Sequence, residues 1–144
     1  MVPKNEKPIS GRTFLSNRGV PLLCLGTGTA CVFHCMGVLE HGLRFLAKQL
    51  GVAFDHEFAA RSWGPTLGEI ESRIDSLRKE RKTAEKDRLL HSYSEVATQF
   101  RYFKNAWCNY VWHTREEYDS TQAFTILSHV REFMEDLSSW AIEV

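Results

Sequence analysis

Among the residues able to do chemistry, Asn109 and His113 stand out, at the end of the stretch FRYFKNAWCNYVWH. Their four-residue spacing puts them one turn apart on one side of a helix, where polar side chains can share a cleft. A histidine at a helix end, followed by Arg115, Glu116 and Glu117, can transfer protons near neutral pH. The competing structural role for His113 is a hydrogen bond to the last carbonyls of its helix. His34, His41, His56, His91 and His129 lack such a setting, and one sequence alone assigns no serine–histidine–aspartate arrangement.

Two other patterns carry donor or phosphate-loop residue types. Cys31, His34 and Cys35, with Cys24 upstream, carry soft-metal donors. Yet Cys31 and Cys35 lie one turn apart on an apolar helix, with no second close-spaced pair. They read as buried small hydrophobes, and no metal or other cofactor is expected. The run LGTGTAC after an apolar segment has two glycines of a dinucleotide loop, but no third glycine and no second strand follow.

These residues must be positioned by helices. Tyr93, Val96, Phe100, Phe103, Trp107 and Tyr110 recur three and four apart, a ring stripe facing a core. Before it, Thr27 or Thr29 can cap a helix to about Leu50, closed by Gly51, with Phe33, Met36, Leu39, Leu43, Leu46 and Leu50 inward. Gly37 in its middle costs roughly 1 kcal/mol against alanine unless close packing uses the missing side chain. Val52 to Gly64 reads as a connection whose Phe54, Phe58 and Trp63 tuck against the core. Pro65-Thr66 with Glu69 predicts the start of a second helix with Leu67, Ile70, Ile74 and Leu77. From Arg73 to Arg88 seven basic residues face four acidic ones, read as a solvated helix end and turn, with an RNA-backbone patch as the minor alternative. A third helix is expected from near Glu85 to about Trp112, then a break at Thr114 to Tyr118. Asp119 with Gln122 caps a fourth, carrying Ala123, Leu127, Val130, Met134, Leu137 and Ala141.

The expected fold class is therefore all-α, an antiparallel bundle of four to five helices. Residues 1–20 read as an irregular lead-in and 21–144 as a single domain. The formal net charge is +0, against a globally basic nucleic-acid binder but not against a local patch. Nothing approaches about eighteen consecutive apolar residues, so no membrane span is expected. The first residues do not read as a secretory signal, so a cytoplasmic location with reduced cysteines is the expectation.

The segment FKNAWCNYVWHTREEYD resembles the signature helix of HEPN domains, small helical bundles of bacterial defence and toxin–antitoxin systems. The segments ACVFHCMGVLEHGLRFLA and LSHVREFMEDL are similar to one bacterial branch, extending the resemblance from about Gly26 to Leu137. The family hallmark is arginine, then a polar residue, then histidine after four to six intervening residues. Asn109 and His113 match, but Cys108 occupies the arginine position.

In active members the resemblance implies metal-independent RNA cleavage between two paired domains. Histidine handles the proton of the attacking 2′-hydroxyl or of the leaving oxygen, and arginine holds the scissile phosphate. Cysteine carries no cation and makes no bidentate phosphate contact. Losing such a group costs a factor of about 100 to 1,000 in rate. On an ideal helix positions 108 and 113 lie about 140° apart, a gap too wide for cysteine. Lys104, Arg101 and Arg115 are the nearby cations that could take over RNA binding. The expectation is thus an impaired endoribonuclease relative retaining RNA binding. Its expected partners are RNA, a cognate antitoxin or other protein, and a second copy in a homodimer. The alternative is a non-catalytic helical module for dimerisation or antitoxin binding.

Overall fold

A computed structural model describes residues 28–53, 59–80, 82–108 and 117–143. The lead-in, the apolar run Pro21 to Leu25, Thr27, Phe54, Phe58, Tyr110 and most of the expected break before Tyr118 lie outside them. So do the side chains of Trp107 and Ala141. The chain is an all-α helical bundle, with no strand among the described residues. Its helices are α1 (Gly28–Gln49), α2 (Ala59–Lys79), α3 (Ala84–Phe103) and α4 (Ser120–Glu143), and a π-helical turn, Lys104–Cys108, extends α3. The residues group into two compact units: Met1–Gly42 with His113–Val144, and Leu43–Trp112.

In the first unit the beginning of α1 joins α4. Thr29 lies inside the first turn of α1 rather than capping it, and its hydroxyl accepts the backbone N–H of Tyr118 at 2.9 Å. Gly28 is required here. A Cβ at this position would collide with the Tyr118 carbonyl oxygen and come within 2.9 Å of the Asp119 carbonyl oxygen. The expected α4 cap is present as a reciprocal pair. Gln122 N–H donates to Asp119 Oδ1 at 2.8 Å, and Asp119 N–H donates to Gln122 Oε1 at 3.0 Å, satisfying two end-of-helix donors at once. Ala123, Leu127, Val130, Met134 and Leu137 are buried as the spacing predicts, with Ile126 and Phe133 beside them.

The inward face of α1 corrects one expectation. Phe33 is 41 % exposed, while Val32, Cys35, Met36 and Leu39 are buried. Met36 has apolar partners at both three and four residues upstream, and the helix turns the four-residue neighbour inward. Gly37 is exposed, with nothing within 4 Å of a Cβ built on it. No close packing therefore offsets its conformational cost.

The second unit begins with the end of α1, where Leu43, Leu46 and Ala47 are fully buried. Gly51 stops the helix at φ 68°. Val52 N–H reaches back to the Ala47 carbonyl at 2.8 Å, and Gly51 N–H to that of Lys48 at 3.2 Å, the pair of bonds of a Schellman stop.

The start of α2 differs from the expectation at Pro65: the helix begins at Ala59 and carries Pro65 inside it. Proline normally clashes with the Cβ of the residue before it when that residue is helical; Gly64 has none. Trp63, only 2 % exposed, packs edge-on against Phe100, ring centroids 6.2 Å apart, which favours the added turn. Leu67, Ile70 and Ile74 are buried and Leu77 is half-buried.

Between α2 and α3 the described charged residues from Arg73 to Arg88 are exposed, except for the half-buried Lys86. This is the solvated turn the charge run predicts. Thr83 caps α3, accepting Lys86 N–H on its hydroxyl at 3.2 Å. Lys86 Nζ donates to Glu80 Oε2 at 3.0 Å, holding the Glu80 carboxyl below its ordinary range. Along α3, Tyr93, Ala97, Phe100 and Phe103 face the core, while Val96 is half-buried.

Candidate functional site

The ring stripe of α3 leads directly into the candidate site. At Lys104 the helix is still right-handed (φ −57°, ψ −50°), and its N–H is shared between the Phe100 and Arg101 carbonyls. Lys104 to Cys108 then form a π turn. Such a turn takes one residue more per repeat than an α-helix, so the α-helical period of the ring stripe ends at Phe103. Cys108 closes the π turn in backbone terms, and its side chain lies outside the described set. Asn109, His113 and Arg115 also lie outside the described residues.

Arg101 and Lys104, both expected to bind RNA, differ in what surrounds them. Arg101 makes a two-pronged ion pair with Glu71 of α2: Nε to Oε1 at 2.7 Å and Nη2 to Oε2 at 2.8 Å. This fork matches carboxylate geometry and fixes α3 against α2. The hydrogen bonds it donates to Glu71 hold the guanidinium pKa above its ordinary value, so it stays charged. The two side chains are 38 % and 44 % exposed, so solvent screening limits the pair to about 1 kcal/mol or less. Its charge is already neutralised by a carboxylate.

Lys104 is half-buried, and no carboxylate among the described residues pairs with it. Its stem runs over Gly64, just before Pro65. A Cβ added to Gly64 would stand 3.3 Å from Lys104 Cε and 3.9 Å from Nζ. A Cβ there would press on the end of the lysine stem, which would have to give by a few tenths of an ångström.

Two hollows of this unit are lined by described residues. A small one of about 290 Å³ between α2 and α3 is lined by Glu71, Asp75, Arg78, Ser94 and Thr98 among others. Arg78 is bonded there to Asp75 at 3.3 Å, so the hollow presents no uncompensated cation. A shallow open groove of about 590 Å³ runs beside Gly51, Val52, Pro65, Gly68 and Arg73.

Cys31 and Cys35 occupy fully buried positions in α1 as free thiols. Cys35 bonds to the sulfur of Cys31; that bond and burial push its thiol far above the ordinary range, while Cys31 is held lower by accepting the bond. They pack as the small hydrophobes the sequence suggests. No cluster of three or more metal-donor side chains occurs among the described residues.

Sequence reasoning did not find Glu71, Gly64 or the π turn. The partners of the first two are thirty and forty residues away in the chain, and KNAWC contains no residue type that marks a π turn. No family model, no curated protein and no solved structure matches this chain.

Proposed function

We propose that this chain is a HEPN-like domain of endoribonuclease lineage whose cleavage chemistry is impaired by Cys108 and whose retained activity is RNA binding. The observation that supports it best is the π turn from Lys104 to Cys108, which breaks the α-helical register directly ahead of Asn109 and His113. Departures of this kind frequently accompany functional sites, because they re-aim side chains at a cost in helical regularity. In this reading His113 serves as the proton-transfer group and Asn109 as its polar neighbour. Cys108 leaves the scissile phosphate without a guanidinium. A role in bacterial defence or a toxin–antitoxin pair, a cytoplasmic location and a homodimeric state belong to the same proposal.

Cleavage of a mixed RNA pool without added metal tests it. The protein as it stands is expected to bind RNA and cut it poorly. Cys108→Arg is expected to raise cleavage by about 100-fold or more, and Cys108→Arg/His113→Ala to abolish the gain. If neither protein cuts and neither binds RNA, the proposal fails.

A second reading, a non-catalytic protein-interaction module, draws on large apolar side chains at the surface: Phe124 is 62 % exposed and Tyr102 53 %. Capture of a protein partner that is lost in Phe124→Ser, together with absence of RNA binding, would favour it. No described helix is long and apolar enough to cross a membrane.

A further inference from the structure

The two described cations beside the π turn are not equivalent, and the difference points to the one that meets the ligand. Arg101 is engaged by both oxygens of Glu71 at 2.7 and 2.8 Å. An incoming phosphate would have to displace a carboxylate already matched to the guanidinium fork. Lys104 has no carboxylate partner among the described residues and sits within the π turn itself. Its stem is half-buried over Gly64, which restricts where the ammonium can swing and lowers the entropy lost when it takes a ligand. A flexible surface lysine would lack that restriction.

We infer that Lys104 is the phosphate-contacting cation of the RNA site, and that Gly64 is its positioning residue, leaving the end of the lysine stem free of a side chain it would otherwise press against. The inference rests on the RNA-binding reading above. The recognised chemistry is a single phosphodiester oxygen held by an ammonium, a point-charge contact rather than a bidentate one. It supports binding of a single strand without reading its bases.

The test is fluorescence anisotropy of a labelled mixed-sequence single-stranded RNA with the full chain, titrated over a range of salt concentrations. Lys104→Met keeps the stem and removes the charge. It is expected to weaken binding about tenfold and to flatten the log affinity against log salt slope by about 0.7, the loss of one contact on a single strand. Gly64→Ala keeps the charge and moves the stem. It is expected to weaken binding and flatten the slope as well, and to add nothing further when combined with Lys104→Met.

Because an alanine before Pro65 can itself disturb α2, the same comparison is made between Pro65→Ala and Gly64→Ala/Pro65→Ala. There the pre-proline clash is gone and only the added methyl differs. If the parent protein binds RNA and Lys104→Met changes neither affinity nor slope, the assignment of Lys104 is overturned while RNA binding stands. Weaker binding with an unchanged slope in both glycine comparisons overturns the positioning role of Gly64. If the parent protein binds no RNA, the functional reading falls and this inference with it.

Discussion

Gly37 and Gly51 are two glycines of the same helical segment with opposite consequences. Nothing lies within 4 Å of a Cβ built on Gly37, so Gly37→Ala is expected to stabilise the protein by about 0.5–1 kcal/mol in a denaturant titration. Gly51 holds φ 68° in the Schellman stop, a conformation that costs an L-residue roughly 1–2 kcal/mol. Gly51→Ala is expected to destabilise by about that amount in the same titration. The Gly51 stop was legible because it depends on neighbours close in sequence; whether packing used the missing side chain of Gly37 was left open, since only the fold shows the empty space around it. Gly28 and Gly64 were not legible in this way: what lies against them, a backbone at Gly28 and a lysine stem at Gly64, comes from a distant segment. The pairing of Arg101 was hidden for the same reason, since Glu71 lies on another helix. Arg101→Ala is accordingly expected to change RNA affinity much less than Lys104→Met. Equal losses would show that the Glu71 pair does not hold Arg101 back.

At the scale of elements, local rules succeeded where the chain obeys one rule at a time. Asp119 and Gln122 form their capping box as the spacing implies. Asp119→Ala is expected to cost about 0.5–2 kcal/mol, measured as a lower midpoint of thermal or denaturant unfolding. Pro65 shows where two rules compete. Its preference for a first turn pointed to a helix start, yet tertiary packing of Trp63 on Phe100 extends α2 back to Ala59. The ring stripe of α3 was readable through Phe103. It gave no warning that the next five residues leave α geometry, because hydrophobic spacing alone does not mark a π turn.

For the molecule as a whole, the helical class was legible because each helix carries its own apolar period. Which segments meet was not, since pairing depends on shape across long stretches of chain. One bulk property follows from Tyr93, which is 5 % exposed. Burial raises its phenol above the ordinary value of 10.0, because ionising it in place is unfavourable. The folded pKa then exceeds the unfolded one. This contribution to stability is complete below pH 10 and is lost as pH rises through the folded value. Stability measured from neutral to strongly alkaline pH should therefore fall in that upper range, and Tyr93→Phe should lessen the fall.

The bond between Thr29 and Tyr118 carries a consequence for the order of assembly. It joins residues 89 apart in the chain, whereas α2 and α3 are linked by only a short turn. The α2–α3 pair can search for its native arrangement locally. The α1 start and α4 must first close a long loop, whose entropy is lost before any contact repays it. Substitutions at the Trp63–Phe100 contact are therefore expected to slow folding. Thr29→Ala should chiefly speed unfolding, a division that stopped-flow kinetics can read directly.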